Sequence, residues 1–389
     1  MAKKILIINK SFEPGGVQMA LANMLEAIHN EYDVTLAVFN PNGPLRSRVP
    51  DNVKLLELSS LVQVLGMGRS DCQQFGTVRQ KIFKAIGSIW ARIFGNTLPV
   101  KFAMAFQKNV GEFDTVISYH QETGPKTLVT GFGYFALRKC GSPNKIAWIH
   151  ADFLATNLAT LKNLKTYQKF DKIVCVSRLC MDHFVASYPS LKEKCNYCYN
   201  YIPAEEIVQK ASRMHGVFDK SEDTIVLFSA CRLTKEKGLV PALETLFPLW
   251  RAGVNLKWYI AGEGPERPAL ETAIQANGVG DRVFLLGFQS NPYPYIREAD
   301  YVFLPSLHET FSMVVHEAHI LGTPVIASDI PIMREMFADG DCLCADGDFG
   351  KCIMKVSRKR SVGRREIGTP DNWVRQFERI IKNDTSSER

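Results

Sequence analysis

The chain has 389 residues and a net charge of +7, and its content of 46% hydrophobic and 22% charged residues is ordinary for a soluble globular protein. Its length suits two domains of about 180 residues each rather than one core. No apolar run reaches the ~20 residues of a membrane span, and the N-terminal segment MAKKILIINKSF has too short an apolar core for a signal peptide, so we expect a cytoplasmic protein.

Short apolar runs that predict strands alternate with segments of helical periodicity along the chain. This alternation is typical of parallel sheets that are covered by helices on both faces. The runs form two sets, so we expect two doubly wound α/β domains. The predicted strands are residues 5–8, 34–39, 115–118, 145–149 and 172–176 in the first half, and 224–230, 256–261, 283–286, 301–305 and 324–327 in the second.

Gly15 and Gly16 follow the first predicted strand and precede a predicted helix. They do not form the dinucleotide-binding pattern GxGxxG. A glycine pair at this place lets the backbone approach a ligand, with the helix N-terminus facing a phosphate. The alternative is a glycine turn that only the chain geometry requires.

The segment between Asp71 and Glu112 contains no acidic residue but six cations, so an anionic partner is plausible here. Within it, residues 82–94 predict an amphipathic helix with Lys81, Lys84 and Arg92 on the face opposite to the apolar one. This basic helix near residues 79–94 can rest on an anionic membrane surface, or it can pack its apolar face into the core. Both alternatives remain open.

Two histidines end predicted strands of the first half. His150 follows the apolar run KIAWI, and His120 follows the preceding strand. A side chain at the carboxyl end of a parallel strand points to the crevice where such sheets bind ligands. We favour His150 as the ligand-facing residue, with His120 as the competing candidate and structural packing as the alternative for either.

The boundary between the halves is predicted near Asn200 and Pro203, because proline cannot continue a strand ladder. The domains are then residues 1–199 and 200–368, followed by a terminal helix in 369–389. Thr369 is a suitable N-cap for that helix, with Pro370 at its first position. Its apolar residues recur at helical spacing, so one face must be buried.

The strand at residues 224–230 is followed by Arg232 and Lys237. Two fixed cations at the carboxyl end of a strand suit a diphosphate leaving group, because departure of a sugar leaves negative charge on the phosphate. The alternative is a solvated loop that also contains Lys235 and Glu236. After the next strand, Gly262 in the segment GEGP permits a tight turn into a helix.

Glu309 and Glu317 bracket the segment ETFSMVVHE. The pattern predicts a strand at 301–305 and a helix at 311–321, with Glu309 in the loop and Glu317 inside the helix. Eight residues at helical rise place the carboxylates roughly 12 Å apart along the axis. They cannot share one proton, but they can hold hydroxyls at two ends of an extended ligand, with a helix N-terminus between them that favours phosphate.

The two glutamates, together with the segments FSACRLTKEKGL, YIAGEGPERPALE and LGTPVIASD in this order, resemble the family 4 retaining nucleotide-sugar glycosyltransferases. The resemblance is strongest from Cys195 to Asp346. It implies the GT-B architecture, in which two Rossmann-like domains face a central cleft and the terminal helix crosses back onto the first domain. Packing of that helix on its own domain is the alternative.

The resemblance also implies the activity. The protein is expected to transfer a hexose, with retention of configuration and without a metal ion, from a nucleotide-diphosphate sugar to a glycan or lipid-linked acceptor. No cofactor and no nucleic-acid partner are expected, and a UDP-sugar is favoured over a GDP-sugar as co-substrate. The expected setting is bacterial surface polysaccharide synthesis in the cytoplasm, at the inner face of the cell membrane.

The residues matching the family's motifs take the family's roles. Arg232 and Lys237 would bind the diphosphate, Glu309 the hydroxyls of the donor sugar, and Glu317 the ribose. The remaining assignments are Gly15 and Gly16 to phosphate and acceptor, His150 to the transferred sugar, Gly262 to the turn facing the ligand, and Gly287, Phe288 and Gln289 to the base. Thr310, Phe311 and Ser312 stand where the family has a glycine-rich tripeptide whose amides bind the sugar, which leaves the sugar's identity open.

Two other functions fit the same fold. One is a non-catalytic partner subunit of a transferase complex, and the other is a sugar-nucleotide epimerase. The presence of Arg232, Lys237 and Glu309 argues against the first, and the basic helix favours transfer over the second. Of the ten cysteines, Cys195 and Cys198 form a lone CxxC and Cys342 and Cys344 a lone CxC, so we expect free thiols rather than a zinc site.

Overall fold

The computed structural model describes residues 2–355, 368 and 370–382. It separates into two compact units, one made of Met1–Tyr201 with Asp371–Arg389 and the other of Ile202–Pro370. The division falls between the predicted linker residues Asn200 and Pro203. Thr369, the predicted N-cap, and the tail after residue 382 lie outside the described residues.

The first unit contains a seven-stranded sheet in which every neighbouring pair is parallel. Its strand order is β3-β2-β1-β4-β5-β6-β7. The central strands are buried on both faces and are rich in valine, isoleucine and leucine, as parallel strands covered by helices must be. The strands are β1 Lys4–Ser11, β2 Asp33–Asn40, β3 Lys54–Leu56, β4 Thr115–Ser118, β5 Lys145–Ile149, β6 Lys172–Cys175 and β7 Cys195–Tyr197.

The helices of this unit connect and cover the strands. They are α1 Gly16–Ile28, α2 Ser60–Val64, α3 Arg69–Phe75, α4 Val78–Phe94, α5 Thr97–Ala105, α6 Phe132–Arg138, α7 Leu161–Tyr167 and α8 Arg178–Ser187. Two short 3-10 helices, Pro44–Arg48 and Pro189–Lys194, complete the connections.

The second unit contains a six-stranded parallel sheet in the order β10-β9-β8-β11-β12-β13. Its strands are β8 Ile225–Ala230, β9 Leu256–Ala261, β10 Val283–Gly287, β11 Tyr301–Leu304, β12 Val325–Ser328 and β13 Cys342–Cys344. Its helices are α9 Ala204–Ala211, α10 Leu239–Arg251, α11 Arg267–Ala276, α12 Tyr293–Glu298, α13 Met313–Leu321, α14 Pro331–Met336 and α15 Phe349–Lys355, with a 3-10 turn at Lys235–Lys237.

In both sheets the first strand of the unit lies inside the sheet, and the order reverses beside it. The reversal falls between β1 and β4 in the first unit and between β8 and β11 in the second. In doubly wound sheets ligands bind outside the carboxyl ends of the strands at such a reversal. The topology therefore confirms two doubly wound, Rossmann-like domains.

A buried polar bridge joins the strands at the reversal in the second unit. Trp258 of β9 donates its indole N–H to Ser229 Oγ of β8 at 2.9 Å, and Ser229 Oγ donates to the carbonyl oxygen of Phe303 in β11 at 2.5 Å. All three residues are fully buried. Because buried polar groups must be paired, this bridge favours one alignment of the three strands.

The ten predicted strands are all present, and three strands were not predicted. These are β3, β7 and β13, each three residues long and partly exposed. The predicted helix at 311–321 begins two residues later, at Met313. Glu309 therefore lies four residues outside that helix, and the 12 Å separation estimated from helical rise does not apply.

The terminal helix, α16 Pro370–Ile381, packs with the first unit. Its Trp373 and Phe377 are buried, with ring centroids 4.9 Å apart. The carbonyl oxygens of its last turn accept hydrogen bonds from Lys172 Nζ and Asn144 Nδ2. A lysine at this place suits a helix C-terminus, because it satisfies carbonyls that have no partner within the helix.

Helix α4 packs against its unit through the face opposite to the apolar one. Lys84, predicted on the face opposite to the apolar one, is buried there, and its ammonium donates to the carbonyl oxygens of Val64 and Met67. The inward face otherwise consists of Gln80, Gly87 and Ala91. Small residues permit close packing of the helix, and the carbonyls replace the water that the ammonium loses. The apolar face therefore points to solvent, which excludes the alternative that it packs into the core, and the membrane alternative stays a prediction.

No helix within the described part of the chain is long and apolar enough to cross a membrane. All ten cysteines are free thiols.

Candidate functional site

Two side chains from neighbouring loops meet at the strand reversal of the second unit. Lys237 lies in the loop after β8 and Glu309 in the loop after β11, and Lys237 Nζ is 2.5 Å from Glu309 Oε1. Ser306 donates a hydrogen bond to the same oxygen at 3.0 Å. Both bonds use Oε1, and within the described residues none is made to Oε2. Glu309 can therefore keep its lysine partner and still accept a hydrogen bond from a ligand.

The charge of Lys237 is held by its surroundings. Burial acts to lower the pKa of this ammonium, but the charge of Glu309 and the hydrogen bond to it outweigh burial, and the pKa is raised. Lys237 thus stays protonated at neutral pH. A fixed cation beside a carboxylate can face a ligand that is anionic at one end and rich in hydroxyls at the other.

Arg232 follows β8 in the same loop as Lys237 and is exposed. Among the described residues, none forms an ion pair with it. Its guanidinium is thus open to an anionic ligand at the carboxyl edge of the sheet. Guanidinium groups present several donors in a geometry that suits phosphate oxygens.

Gly262 and Gly264 fix the loop that carries Arg232. Gly262 has a φ of 142°, and a Cβ there would lie 1.8 Å from the carbonyl oxygen of Cys231. A Cβ at Gly264 would lie 2.2 Å from the carbonyl oxygen of Leu233. The missing side chain of Gly262 makes room for a neighbouring backbone, as the predicted tight turn requires, and its place in a turn that faces the ligand stays a prediction.

The end of β10 presents an aromatic side chain. Phe288 is 63% exposed, and it follows Gly287, which has a φ of 69° and accepts a backbone hydrogen bond from Gly262. Gln289 is turned back and donates to the carbonyl oxygen of Leu286. An exposed ring at the carboxyl edge can stack on a planar ligand, so Phe288 rather than Gln289 is the group available to a base.

Glu317 lies in α13 and is buried. Burial raises the pKa of its carboxyl to about 7. No hydrogen bond from another described side chain or backbone group stabilises the ionised form. The carboxyl is therefore close to half-protonated at neutral pH, and a ligand hydroxyl would supply the partner that the protein does not.

The tripeptide Thr310, Phe311 and Ser312, which follows Glu309, makes packing contacts within the second unit. Phe311 is buried and stacks on His316 with ring centroids 4.9 Å apart. The backbone N–H of Ser312 points to the sulfur of Met336 at 3.4 Å, and sulfur is a weak acceptor. The side chain of Phe311 thus packs the loop. That Thr310, Phe311 and Ser312 bind substrate stays a prediction.

A buried hydrogen bond between a histidine and an aspartate, which was not predicted, anchors α13. His319 Nε2 lies 2.8 Å from Asp341 Oδ2, and Asp341 also accepts backbone hydrogen bonds from Val325 and Ala338. The 22 residues that separate this histidine from its aspartate leave no local pattern by which the pair could be recognised.

In the first unit, Gly15 and Gly16 lie at the N-terminus of α1. Gly15 has an extended φ of 175°, which any residue can adopt, and Gly16 begins the helix. A Cβ at Gly16 would meet no atom within 4 Å. Chain geometry therefore does not require glycine at Gly16, and the space in front of it is open.

The two histidines end adjacent strands. The backbone N–H of Tyr119 bonds to Ile8 of β1, which places His120 at the strand reversal, whereas His150 lies one strand further on. His150 is buried beside the ring of Tyr119, and burial lowers its pKa to about 3. Burial, with Lys10 and His150 nearby, also lowers the pKa of His120 well below its usual value.

Both imidazoles are thus neutral at physiological pH. The Nε2 atom of His150 and the Nδ1 atom of His120 are buried without a partner in the described residues. A neutral imidazole in this state can exchange a hydrogen bond with a ligand, but it cannot supply a proton as an imidazolium. No group of three or more metal-binding side chains occurs in the part of the chain that the structure describes.

Part of the chain is similar to known enzymes. Residues 211–357 match the family model described as Glycosyl transferases group 1. Over 178 residues the chain is 33% identical to the O-antigen biosynthesis glycosyltransferase WclY of Escherichia coli, a match covering 46% of this chain and 48% of WclY.

A second relative is the N-acetylgalactosamine-N,N'-diacetylbacillosaminyl-diphospho-undecaprenol 4-alpha-N-acetylgalactosaminyltransferase of Campylobacter jejuni. It is 30% identical over 176 residues, covering 45% of this chain and 46% of the relative. The chain therefore spans about half the length of the curated relatives it matches.

Among solved structures, Anabaena Alr3699/HepE in complex with UDP-glucose has a TM-score of 0.63 at 17% identity, over 99% of this chain and 100% of that chain. At this identity the likeness concerns the fold. Together the comparisons confirm the resemblance to the group 1, family 4-type glycosyltransferases and the GT-B fold class.

Adding a methyl group at Gly262 and at Gly16 should have different effects. Gly262→Ala should lower the free energy of unfolding by about 1–3 kcal/mol, because its Cβ collides with a backbone carbonyl at a positive φ. Gly16→Ala should leave stability unchanged but weaken ligand binding or turnover. Denaturant unfolding and steady-state kinetics of both variants check this, and a stable, fully active Gly262→Ala would contradict the packing role.

The raised pKa of Glu317 predicts that replacing its carboxyl group increases stability in a pH-dependent way. The native carboxyl binds its proton up to about pH 7, whereas the unfolded one releases it near the ordinary value of 4.5, so this group's contribution to stability falls as pH rises between these values. Glu317→Gln should therefore stabilise the second unit by on the order of 1–3 kcal/mol at pH 8 and not at pH 4.5.

Urea unfolding at the two pH values measures this difference, with Glu244→Gln, an exposed glutamate on α10, as matched control. An equal effect of Glu317→Gln at both pH values would show that burial does not govern its protonation.

Proposed function

We propose that the protein is a retaining glycosyltransferase that transfers a hexose from a nucleotide-diphosphate sugar to a glycan or lipid-linked glycan. The observation that carries this proposal is the pairing of Lys237 with Glu309 at the strand reversal of the second unit, beside the open Arg232. The group 1 match over residues 211–357 supports the same class.

The donor's diphosphate is assigned to the two cations. As the bond between the sugar and the phosphate breaks, negative charge grows on the phosphate oxygens, and preorganised cations lower the energy of that transition state. Because Arg232 and Lys237 supply two positive charges, the reaction proceeds without a divalent metal. No side chain acts as nucleophile, since the departing phosphate itself assists the incoming hydroxyl, as the resemblance implies.

The donor sugar is assigned to Glu309 and the nucleoside to the opposite end of the site. Glu309 Oε2 accepts a hydrogen bond from a sugar hydroxyl while Oε1 keeps Lys237 and Ser306. Phe288 stacks on the base, and Glu317 receives a ribose hydroxyl. A UDP-sugar is the favoured donor, and the structurally similar HepE has been solved with UDP-glucose.

The acceptor is assigned to the first unit. The open N-terminus of α1 at Gly16 and the neutral His150 and His120 offer hydrogen bonds without charge. His150 contacts the transferred sugar, as the resemblance implies. The named functions of WclY and of the Campylobacter enzyme support an O-antigen-type or undecaprenol-linked acceptor in bacterial surface polysaccharide synthesis. The protein would act in the cytoplasm, peripherally at the inner face of the membrane.

One experiment tests the proposed function against two other functions. A non-catalytic subunit would bind a nucleotide sugar without turnover, and an epimerase would change the sugar without an acceptor. The purified protein is incubated with a panel of UDP- and GDP-sugars, with and without a polyprenyl-diphosphate-linked glycan, in excess chelator. We expect acceptor-dependent release of the nucleoside diphosphate. Turnover without acceptor to an isomeric donor, or a strict need for a divalent cation, would contradict the proposal.

Arg232→Ala should lower the turnover found in that panel by roughly 30- to 1000-fold, because a cation at the developing charge contributes about 2–4 kcal/mol. The matched control is Lys235→Ala, which removes an exposed cation from the same loop and should change turnover less than about threefold. Near-normal turnover in Arg232→Ala, with its melting temperature unchanged, would remove the arginine from the diphosphate site.

A further inference from the structure

Helix α4 and the α5 segment carry a continuous set of large apolar side chains on their outer side. We call this set the α4–α5 apolar surface. Every member is between 39% and 74% exposed. The members are Val78, Ile82, Ile86, Ile89, Trp90, Ile93 and Phe94 on α4, and Leu98, Phe102 and Phe106 on and just after α5.

The exposure of this surface follows from how firmly its opposite face is held. Thr77 caps α4 through a reciprocal bond with Gln80, whose side chain also donates to the carbonyl oxygen of Ser60. Lys84 donates to two carbonyls beyond the inward face. Phe83 and Phe102 stack at 5.9 Å and join α5 to α4. Turning the helix over would bury the isoleucines but would expose these bonds.

The charges around the surface have one sign. Arg79, Lys81, Arg92, Lys101 and Lys108 are exposed, and residues 72–111 contain no aspartate or glutamate. Apolar and aromatic side chains flanked by cations alone match the interface of a bilayer with anionic headgroups. A protein partner would need acidic groups to complement the cations. A second copy that presents the same surface would bring none.

We propose that α4 and α5 insert the α4–α5 apolar surface into one leaflet of a lipid bilayer, with the cations contacting anionic headgroups. Insertion of side chains, and not surface charge alone, then holds the protein at the membrane. Insertion gives a physical basis for the peripheral location in the proposed function. It rests on that function only for the purpose of membrane binding, because the binding itself requires no transfer activity.

The inserted helices are tied to the acceptor side of the first unit. Asn96, between α4 and α5, donates through Nδ2 to the carbonyl oxygens of Gly124 and Thr127, and its backbone N–H bonds to Pro125. These carbonyls belong to the loop that His120 begins. A membrane bound by α4 and α5 therefore lies next to that loop, where a lipid-linked acceptor would arrive.

The test is sedimentation of the full chain with vesicles of phosphatidylcholine alone and of phosphatidylcholine with phosphatidylglycerol. Three variants are compared with the parent: the apolar variant Ile82→Ser, Ile89→Ser, Ile93→Ser; the charge variant Lys81→Gln, Arg92→Gln, Lys101→Gln; and a scattered control, Leu55→Ser, Val208→Ser, Met354→Ser. All nine residues are exposed, so each variant should keep the parent's circular dichroism and melting temperature.

The parent should bind both kinds of vesicle and remain bound to the neutral vesicles at about 1 M salt, where exposed charges are screened within about 3 Å. The apolar variant should lose about tenfold or more of its partitioning to both vesicles. The charge variant should keep its binding to the neutral vesicles and lose only the extra affinity for the anionic vesicles, so that it binds both kinds alike. The scattered control should match the parent.

Two results would overturn the proposal. One is an apolar variant that sediments with vesicles as well as the parent does. The other is a parent that leaves the vesicles at high salt or does not bind them. If light scattering then shows that the parent is a dimer and that the apolar variant is a monomer, the α4–α5 apolar surface joins two copies of the chain. Turnover of a water-soluble acceptor distinguishes both results from failure of the transferase proposal, since it does not require the membrane.

Discussion

The reversal of strand order is the constraint on which the candidate site depends. In a parallel sheet all loops after strands leave at one edge, and at the reversal two of them diverge to opposite faces. Lys237 follows β8 and Glu309 follows β11, so 72 residues of sequence separation become a 2.5 Å ion pair. The Ser229 bridge aligns β8 and β11 with β9, and the missing side chain of Gly262 leaves room for the backbone of Cys231, next to Arg232. The alignment of the strands in the sheet therefore also determines where Lys237 and Glu309 lie.

Two groups that the fold leaves unsatisfied are buried, one in each unit. Glu317 is buried without a donor among the described residues, and His150 has a buried ring nitrogen in the same condition. Each lowers stability, because burial removes water and supplies nothing in return. The outer side of α4 and α5 repeats this pattern with apolar side chains left in water. Such departures from a fully satisfied fold are expected where a protein binds something else.

Much of this could be predicted from the sequence, since the ten longer strands show as apolar runs and the motif residues follow them. The edge strands β3, β7 and β13 could not, because three partly exposed residues have no distinctive period. Helix α4 shows the limit most clearly. Its periodicity reveals an apolar face, but only the carbonyls that receive Lys84 decide which way that face points. The Lys237–Glu309 pair and the bond from Ser306 also required the structure, since spacing identifies the motif residues without showing which of them meet.

The most direct test of the central claim separates the role of Lys237 from that of its partner by calorimetry. Binding of UDP and of the UDP-sugar that the donor panel selects is measured for the parent, Lys237→Met and Glu309→Gln. If the lysine holds the diphosphate and the carboxylate holds the sugar, Lys237→Met weakens both ligands by about tenfold or more. Glu309→Gln then leaves UDP binding unchanged or tighter and removes the preference for the sugar nucleotide. Equal weakening of UDP and UDP-sugar by Glu309→Gln, or UDP binding that ignores Lys237, would contradict the account.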